Sequence, residues 1–248
     1  SEHWRLYANA GRRHRFPTLL ELYGDNISIG PSPALESESG MFGDVGFATE
    51  FEPLEGTRVN FSLTGFVSFP DNLIVFMQNS QKSVKAMNVA RSTLAGLEGS
   101  VTGEARWSGF DLHYSFIHAR DTGDVVGLRG NTPPGIAKHQ LDLTLRAGPD
   151  WLELAWELNL RSKRYLDRAN LRPIPAAALQ ALMLRVEFSE LKLGLKARLD
   201  NIANVRRHSV EIPGRNDKAT VQTSDLIGYP LEGPFLSPEE GSRGCHPA

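Results

Sequence analysis

Apolar and polar residues alternate along most of this chain with a period of two. In 151–161, Leu152, Leu154, Trp156, Leu158 and Leu160 stand against Glu153, Ala155, Glu157, Asn159 and Arg161. In 140–147, Leu141, Leu143, Leu145 and Ala147 oppose Gln140, Asp142, Thr144 and Arg146. The pattern returns in 182–189 and in 191–200, where Leu191, Leu193, Leu195, Ala197 and Leu199 oppose Lys192, Gly194, Lys196, Arg198 and Asp200. Weaker versions cover 4–10, 45–52, 58–69, 97–107 and 110–118. This is the pleat of a strand with two unlike faces. No stretch of similar length keeps a helical period; 176–184 is ambiguous but runs straight into a strand pattern. The fold class is therefore all-β, with strands expected at 3–11, 41–53, 56–78, 84–107, 110–120, 136–147, 150–163, 176–188 and 191–201.

The connections are unequal. Tight turns are expected at Pro53-Leu54-Glu55-Gly56, Ser108-Gly109, Gly148-Pro149-Asp150 and Ser189-Glu190, and long polar connections at 12–40, 121–135, 162–175 and 202–230. In an antiparallel up-and-down meander this alternation puts the turns at one end and the long loops at the other. Transmembrane β-barrels of the bacterial outer membrane have that asymmetry. Phe51, Trp107, Phe110, Trp151 and Phe188 each lie close to a tight turn, where a barrel carries an interfacial aromatic girdle; plugging the end of a soluble β core is the competing reading. The runs 56–78 and 84–107 far exceed the roughly 5–6 residues usual for soluble sheets, which suits a tall barrel rising beyond the bilayer. With the leucine faces toward lipid, Glu153, Glu157, Arg161, Arg185, Glu187, Lys192, Lys196 and Arg198 would line a wet lumen.

Composition narrows the classes. Of 248 residues, 27 are basic and 29 acidic, a net charge of −2 that presents no field for nucleic acid. Mean hydropathy is −0.29, and the longest clean apolar runs, such as Leu73–Met77, are far short of the about 20 residues of a membrane helix. Barrel strands, only half apolar, leave no such peak. The single cysteine, Cys245, excludes an internal disulfide framework and a cysteine metal site. The N-terminus enters a strand pattern directly, as expected of a fragment or processed segment. No Gly-x-Ser-x-Gly, His-Glu-x-x-His or phosphate loop is present, so no enzyme is expected. His113 and His118 fall on opposite faces of one strand and make no metal pair; no metal or cofactor is called for.

Four local motifs add a family resemblance. Gly11–Gly24, with Arg15, Pro17, Thr18, Leu19, Glu21, Leu22 and Tyr23 at its defining positions, resembles the "RAPTLxELYG" signature of TonB-dependent outer-membrane receptors. Ser32–Ser39, with Pro33 and Leu35, resembles their "NPxLKPE" box. Asp71–Phe76 followed by Asn88 and Gly96-Leu97-Glu98 resembles a "DLIxF…N…GxE" strand pair. Asp200–Asn204, with Asn201 and Asn204, and Tyr229–Gly233, with Pro230 and Gly233, resemble the "xNLxN" and "YPxPGR" motifs near the end of such barrels.

The resemblance implies a 22-stranded barrel with an N-terminal plug. Residues 1–236 would supply its last nine strands and a stub of the tenth, without the plug, and 237–248 an irregular Pro/Gly-rich tail lacking the usual terminal aromatic. It implies an outer-membrane protein of a Gram-negative bacterium, in contact with lipid, that takes up a scarce solute such as a ferric siderophore or cobalamin and is energised by the TonB complex through the plug. Ligand would be held by the long loops. Arg12, Arg13, His14 and Arg15 form a basic cluster at the start of the first loop, suited to an anionic siderophore; a solvated turn flank or lipopolysaccharide contacts is the simpler reading. Residues 18–31 hold no histidine, so haem gains no support. A passive porin-like channel and a soluble β-sandwich ligand-binding module are the alternatives.

Overall fold

A computed structural model describes residues 3–25, 29–78, 84–190, 192–205, 207–211, 218–222 and 235–238. In chain order the elements are β1 (His3–Arg15), helix α1 (Leu19–Tyr23), β2 (Ile29–Gly30), β3 (Glu38–Phe51), β4 (Arg58–Gln78), β5 (Val84–Ala105), β6 (Ser108–Asp121) and β7 (His139–Ala147). They continue through β8 (Leu152–Arg161), β9 (Arg164–Tyr165), β10 (Pro173–Ile174), β11 (Ala177–Phe188), β12 (Leu193–Asp200), β13 (Arg207–Glu211), β14 (Lys218–Gln222) and β15 (Phe235–Pro238). One sheet runs in the order β1-β3-β4-β5-β6-β7-β8-β11-β12-β15, every pair antiparallel. The expected all-β meander is borne out, including a short terminal strand on β12. Among the described residues the sheet is open, with β1 at one end and β15 at the other.

Register carries the alternation from strand to strand, because residues directly opposite in an antiparallel pair share a face. Trp156 lies opposite Leu145 and Leu182, Leu145 opposite Phe110, and Leu182 opposite Leu199. Toward the other end of the sheet, on the same face, Leu6 lies opposite Phe47, and Phe47 opposite Leu63. One apolar face thus extends without interruption from β1 to β12. It is open to its surroundings: Leu6 is 65% exposed, Val45 61% and Leu154 51%, and none of Leu152, Leu154, Trp156, Leu158 and Leu160 is buried. Its apolar stretch on β6, Phe110 to Phe116, spans about 20 Å at ~3.3 Å per residue, close to the roughly 25 Å band of a membrane barrel.

Every tight turn lies at one end. Trp107, Trp151 and Phe188 are exposed there, and they are set side by side by backbone bonds. Gly148 N donates to Trp107 O (2.9 Å) and Glu187 N to Trp151 O (2.9 Å). The turn expected at Ser108-Gly109 is instead Arg106-Trp107. Ala105 pairs with Ser108 and closes a two-residue connection, which leaves Gly109 inside β6 opposite Glu104.

The loop end departs most from expectation. The first connection, expected at 12–40, shrinks to 16–37 because β1 and β3 pair out to Arg15 and Glu38. It contains α1, although no helix was expected. It also crosses β3 and β4 to pair β2 in parallel with β5 at Val84–Lys85. Beneath it Ser68, Ile74, Val84 and Ala86 are buried on the face opposite the leucine rows. The loop therefore packs on the inner face of the tall β4–β5 hairpin.

Candidate functional site

Two polar knots fix the first loop, and both use motif residues. Thr18 and Glu21 form a capping box: Glu21 N donates to Thr18 Oγ1 (3.3 Å) and Thr18 N to Glu21 Oε2 (2.7 Å), satisfying helix-end donors that have no partner inside so short a helix. The helix stops at Gly24, whose φ of 72° is left-handed and where a Cβ would meet Ile29 O at 2.0 Å. Glu21 is buried, and Arg15 reaches it through Nη1 (3.1 and 2.9 Å) while its Nε and Nη2 grip Glu38 (2.8 and 2.7 Å). Glu38 also accepts from Ile74 N at 2.6 Å, tying β3 and the loop to β4. Burial pushes the Glu21 carboxyl up, but hydrogen bonds from Arg15 and Thr18 outweigh it and hold the group below the ordinary carboxylate range.

The second knot centres on Asn88. Its Oδ1 accepts from Glu36 N (2.9 Å), and its Nδ2 donates to Glu36 O (3.0 Å) and Asn72 O (2.8 Å). Asn72, at φ 55°, returns a bond from Nδ2 to Glu36 Oε2 (2.6 Å). Ser32 N donates to Leu22 O (2.8 Å), so the two motif boxes of the loop are joined. Pro17, Leu22 and Leu35 are half-buried; Leu19, Tyr23 and Pro33 are exposed.

Strand geometry divides the basic cluster. Arg13 and Arg15 lie on the inner face, where Arg13 Nη2 donates to Ser68 Oγ (3.0 Å) and its guanidinium stands 5.8 Å from the Phe42 ring centroid. Arg12 lies opposite Met41 and His14 opposite Ser39, on the face that carries Trp4 and Leu6. The four side chains are not brought to one place, and Arg15 is already committed to two carboxylates.

Below the loop the inner face is a wall of paired charges. Arg198 binds Glu157 through both Nη atoms (2.8 and 2.7 Å) and Asp200 through Nε (2.9 Å). Arg146 pairs with Asp111, and Arg185 with Glu187. Glu98, between Thr64 and Ser115 on the neighbouring strands, is exposed on the same face. A cleft of about 350 Å³ is lined there by Asp142, Glu157, Arg161, Arg198 and Asp200. Lys192, expected on this wall, stands instead in the 189–192 turn at φ 48°. Such a surface suits water and polar ligands.

Sequence reasoning missed the link between the next two loops. Buried Asp121 accepts from Arg168 Nη2 (2.8 Å), Asn131 Nδ2 donates to Arg168 O (2.9 Å), and Asn170 exchanges two bonds with the Thr132 backbone (3.0 and 2.8 Å). Asn170 has φ 58°, and its place in a polar Asp-Arg-Ala-Asn run was the available signal. Asn201 (φ 49°) is buried and accepts from Val205 N (2.9 Å), with Asn204 in the same left-handed region, so this motif shapes the exit from β12. Pro230, Gly233 and Cys245 lie outside the described residues.

The family description "TonB dependent receptor-like, beta-barrel" matches residues 1–205. No curated protein sequence matches the chain significantly. Among solved structures it is similar to the siderophore receptor PiuA of Acinetobacter baumannii, with TM-score 0.63 and 17% identity over 94% of this chain and 33% of that one. It is similar also to the ferric yersiniabactin uptake receptor FyuA of Yersinia pestis (TM-score 0.61, 16% identity, 94% and 34%) and the copper transporter OprC (TM-score 0.60, 15% identity, 94% and 36%). At these identities the likeness is one of fold, and the chain spans about a third of each receptor's length. Together, the family match and the inside-polar, outside-apolar meander make this chain a member of the TonB-dependent receptor β-barrel family, whose proteins are outer-membrane transporters and not enzymes.

Proposed function

We propose that the chain is barrel wall and extracellular loops of an outer-membrane receptor for energised uptake of a scarce solute, with an iron chelate or cobalamin as the solute class. The observation that carries this reading is the continuous apolar face from β1 to β12, backed by a charged face and crowned by long loops at one end only. The barrel portion runs past the expected boundary at 236, because Ser237 and Pro238 pair with Arg198 and Ala197 of β12. TonB engagement, through a plug domain, belongs to the whole receptor.

The solute enters from the side of the knotted loops. Arg13 is the member of the basic run that lies on the inner face without a carboxylate partner among the described residues. Fractionation and uptake test the reading. The protein is expected in the outer-membrane fraction, released only by detergent, and its loss is expected to abolish accumulation of a radiolabelled iron chelate or cobalamin. Recovery in the aqueous fraction, or uptake unchanged across a panel of such solutes, would sink it.

A further inference from the structure

The loops that follow β6 and β8, 122–138 and 162–176, are bonded to one another at several points. At their base His139 N donates to Ser162 Oγ (3.0 Å) and Ser162 N to His139 O (2.9 Å). Beyond it Gly135 N donates to Tyr165 O (2.8 Å), and Asn170 exchanges two bonds with the Thr132 backbone (3.0 and 2.8 Å). Arg168 makes the remaining ties. Its backbone O accepts from Asn131 Nδ2 (2.9 Å), and its Nη2 donates to the buried Asp121 (2.8 Å) at the foot of the first of these loops.

Each loop is also closed on itself in a way that aims the bridging groups at its neighbour. Asp121 N donates to Asn131 O and Gly130 N to Asp121 O (both 2.8 Å), which brings the two ends of 121–131 together as in an Ω-loop. In the second loop the Asp167 carboxylate accepts from Leu171 N (3.1 Å) and Arg172 N (2.6 Å), and Leu166 N donates to Arg172 O (2.9 Å). That turn holds Asn170 at φ 58°, a left-handed geometry that asparagine tolerates, and so commits its amide to Thr132. Pro133 of one loop is fully buried and Ile174 of the other is 2% exposed, as in a satellite core under long loops.

Ordering a connection longer than about 12–15 residues with no sheet of its own is costly in entropy. Here backbone donors and acceptors of each loop are satisfied by the other. Opening one breaks the bonds that hold its neighbour, which is the condition for a single cooperative unit. The first loop is held by different residues, Arg15, Asn72 and Asn88, on β1, β4 and β5.

We propose that 122–138 and 162–176 open and close as one body, keyed by Arg168 and Asn170, while the first loop opens separately. These three loops therefore give the rim of the sheet two moving parts. Val126 and Leu171, 97% and 73% exposed, are outward contact points of the joint body, one on each loop. Because the loops share one opening equilibrium, a contact that holds one closed holds the other closed by the same factor.

The test is amide hydrogen exchange on the full-length protein in non-ionic detergent, with variants that cut the bridge from either side. Asn170→Gly removes the two bonds to Thr132 but keeps a residue at home in the left-handed region. It is expected to lower protection at Gly130, in the other loop, about ten-fold, the worth of two hydrogen bonds. Asn131→Ala removes the bond to Arg168 O and is expected to lower protection at Leu166, again across the bridge, about five-fold. Leu22 and Gly24 of the first loop should be unchanged in both variants. A loss confined to the loop that carries the substitution would overturn the proposal, and so would an equal loss at Leu22 and Gly24. If Asn170→Gly unfolds the sheet, seen as lost protection across 141–158, Asn131→Ala alone decides between these outcomes.

Discussion

Arg15→Ala isolates the principal knot of the first loop. The substitution leaves Glu21, whose side chain is only 8% exposed, without its cation, and frees Glu38, 14% exposed, from two of its bonds. Removing one partner of a fully buried pair costs about 3–5 kcal/mol. Arg15 itself is 40% exposed, so water screens part of the interaction, and the cap bonds from Thr18 to Glu21 survive; about 2–3 kcal/mol is the resulting figure. That corresponds to a roughly 30- to 150-fold rise in the open population of the loop. Amide hydrogen exchange reads it. Protection at Leu22 and Gly24, whose N–H groups bond Thr18 O and Leu20 O, should fall by that factor, while 139–161 should be unchanged. Unchanged protection of the loop would refute the role given to Arg15. A uniform loss across the sheet would show that the loop does not open as a separate unit.

Three further outcomes follow from the same geometry. Asn88→Ala removes three hydrogen bonds linking Glu36, Asn72 and β5; about 1–3 kcal/mol of local stability should be lost, read as faster proteolytic cleavage within 31–37, and an unchanged rate would count against the knot. Because the folded pKa of Glu21 is lowered, its contribution to loop stability is full above the ordinary carboxylate range and is lost as pH falls through the lowered value; loop protection should therefore drop in acid, and the drop should be smaller in Glu21→Gln. Leu143→Arg puts a charge on the apolar face near mid-height and should cost roughly 2–4 kcal/mol of folding into lipid vesicles, while Thr144→Arg on the inner face should be nearly silent; equal effects would refute the assignment of faces, and the reverse order would invert it.

Much of the fold was legible because its signal is local. Neighbouring side chains of a strand point to opposite sides, so Leu152 to Leu160 declare their common face without knowledge of any partner strand. Turn positions were legible where glycine and proline mark them, as at 53–56 and 148–150. They shifted at Ser108-Gly109, where cross-strand pairing of Ala105 with Ser108 overrode the local glycine signal. Helix α1 was missed because five residues are too few to show a helical period, although Thr18-x-x-Glu21 spells its capping box.

The candidate site was less legible. The basic run Arg12–Arg15 reads as one cluster only when the pleat is ignored, and the motif residues Asn88 and Glu21 give no hint of what they hold. By itself the sequence determined an all-β meander with unlike faces, long loops at one end and a family. Only the tertiary structure decided that the first loop folds onto the inner face, that Arg15 joins Glu21 and Glu38, and that Arg12 and Arg13 part to opposite faces of β1. Period and turn chemistry are properties of adjacent residues, whereas those contacts depend on register between segments distant in the chain, where a slip of one residue moves every side chain to the other face.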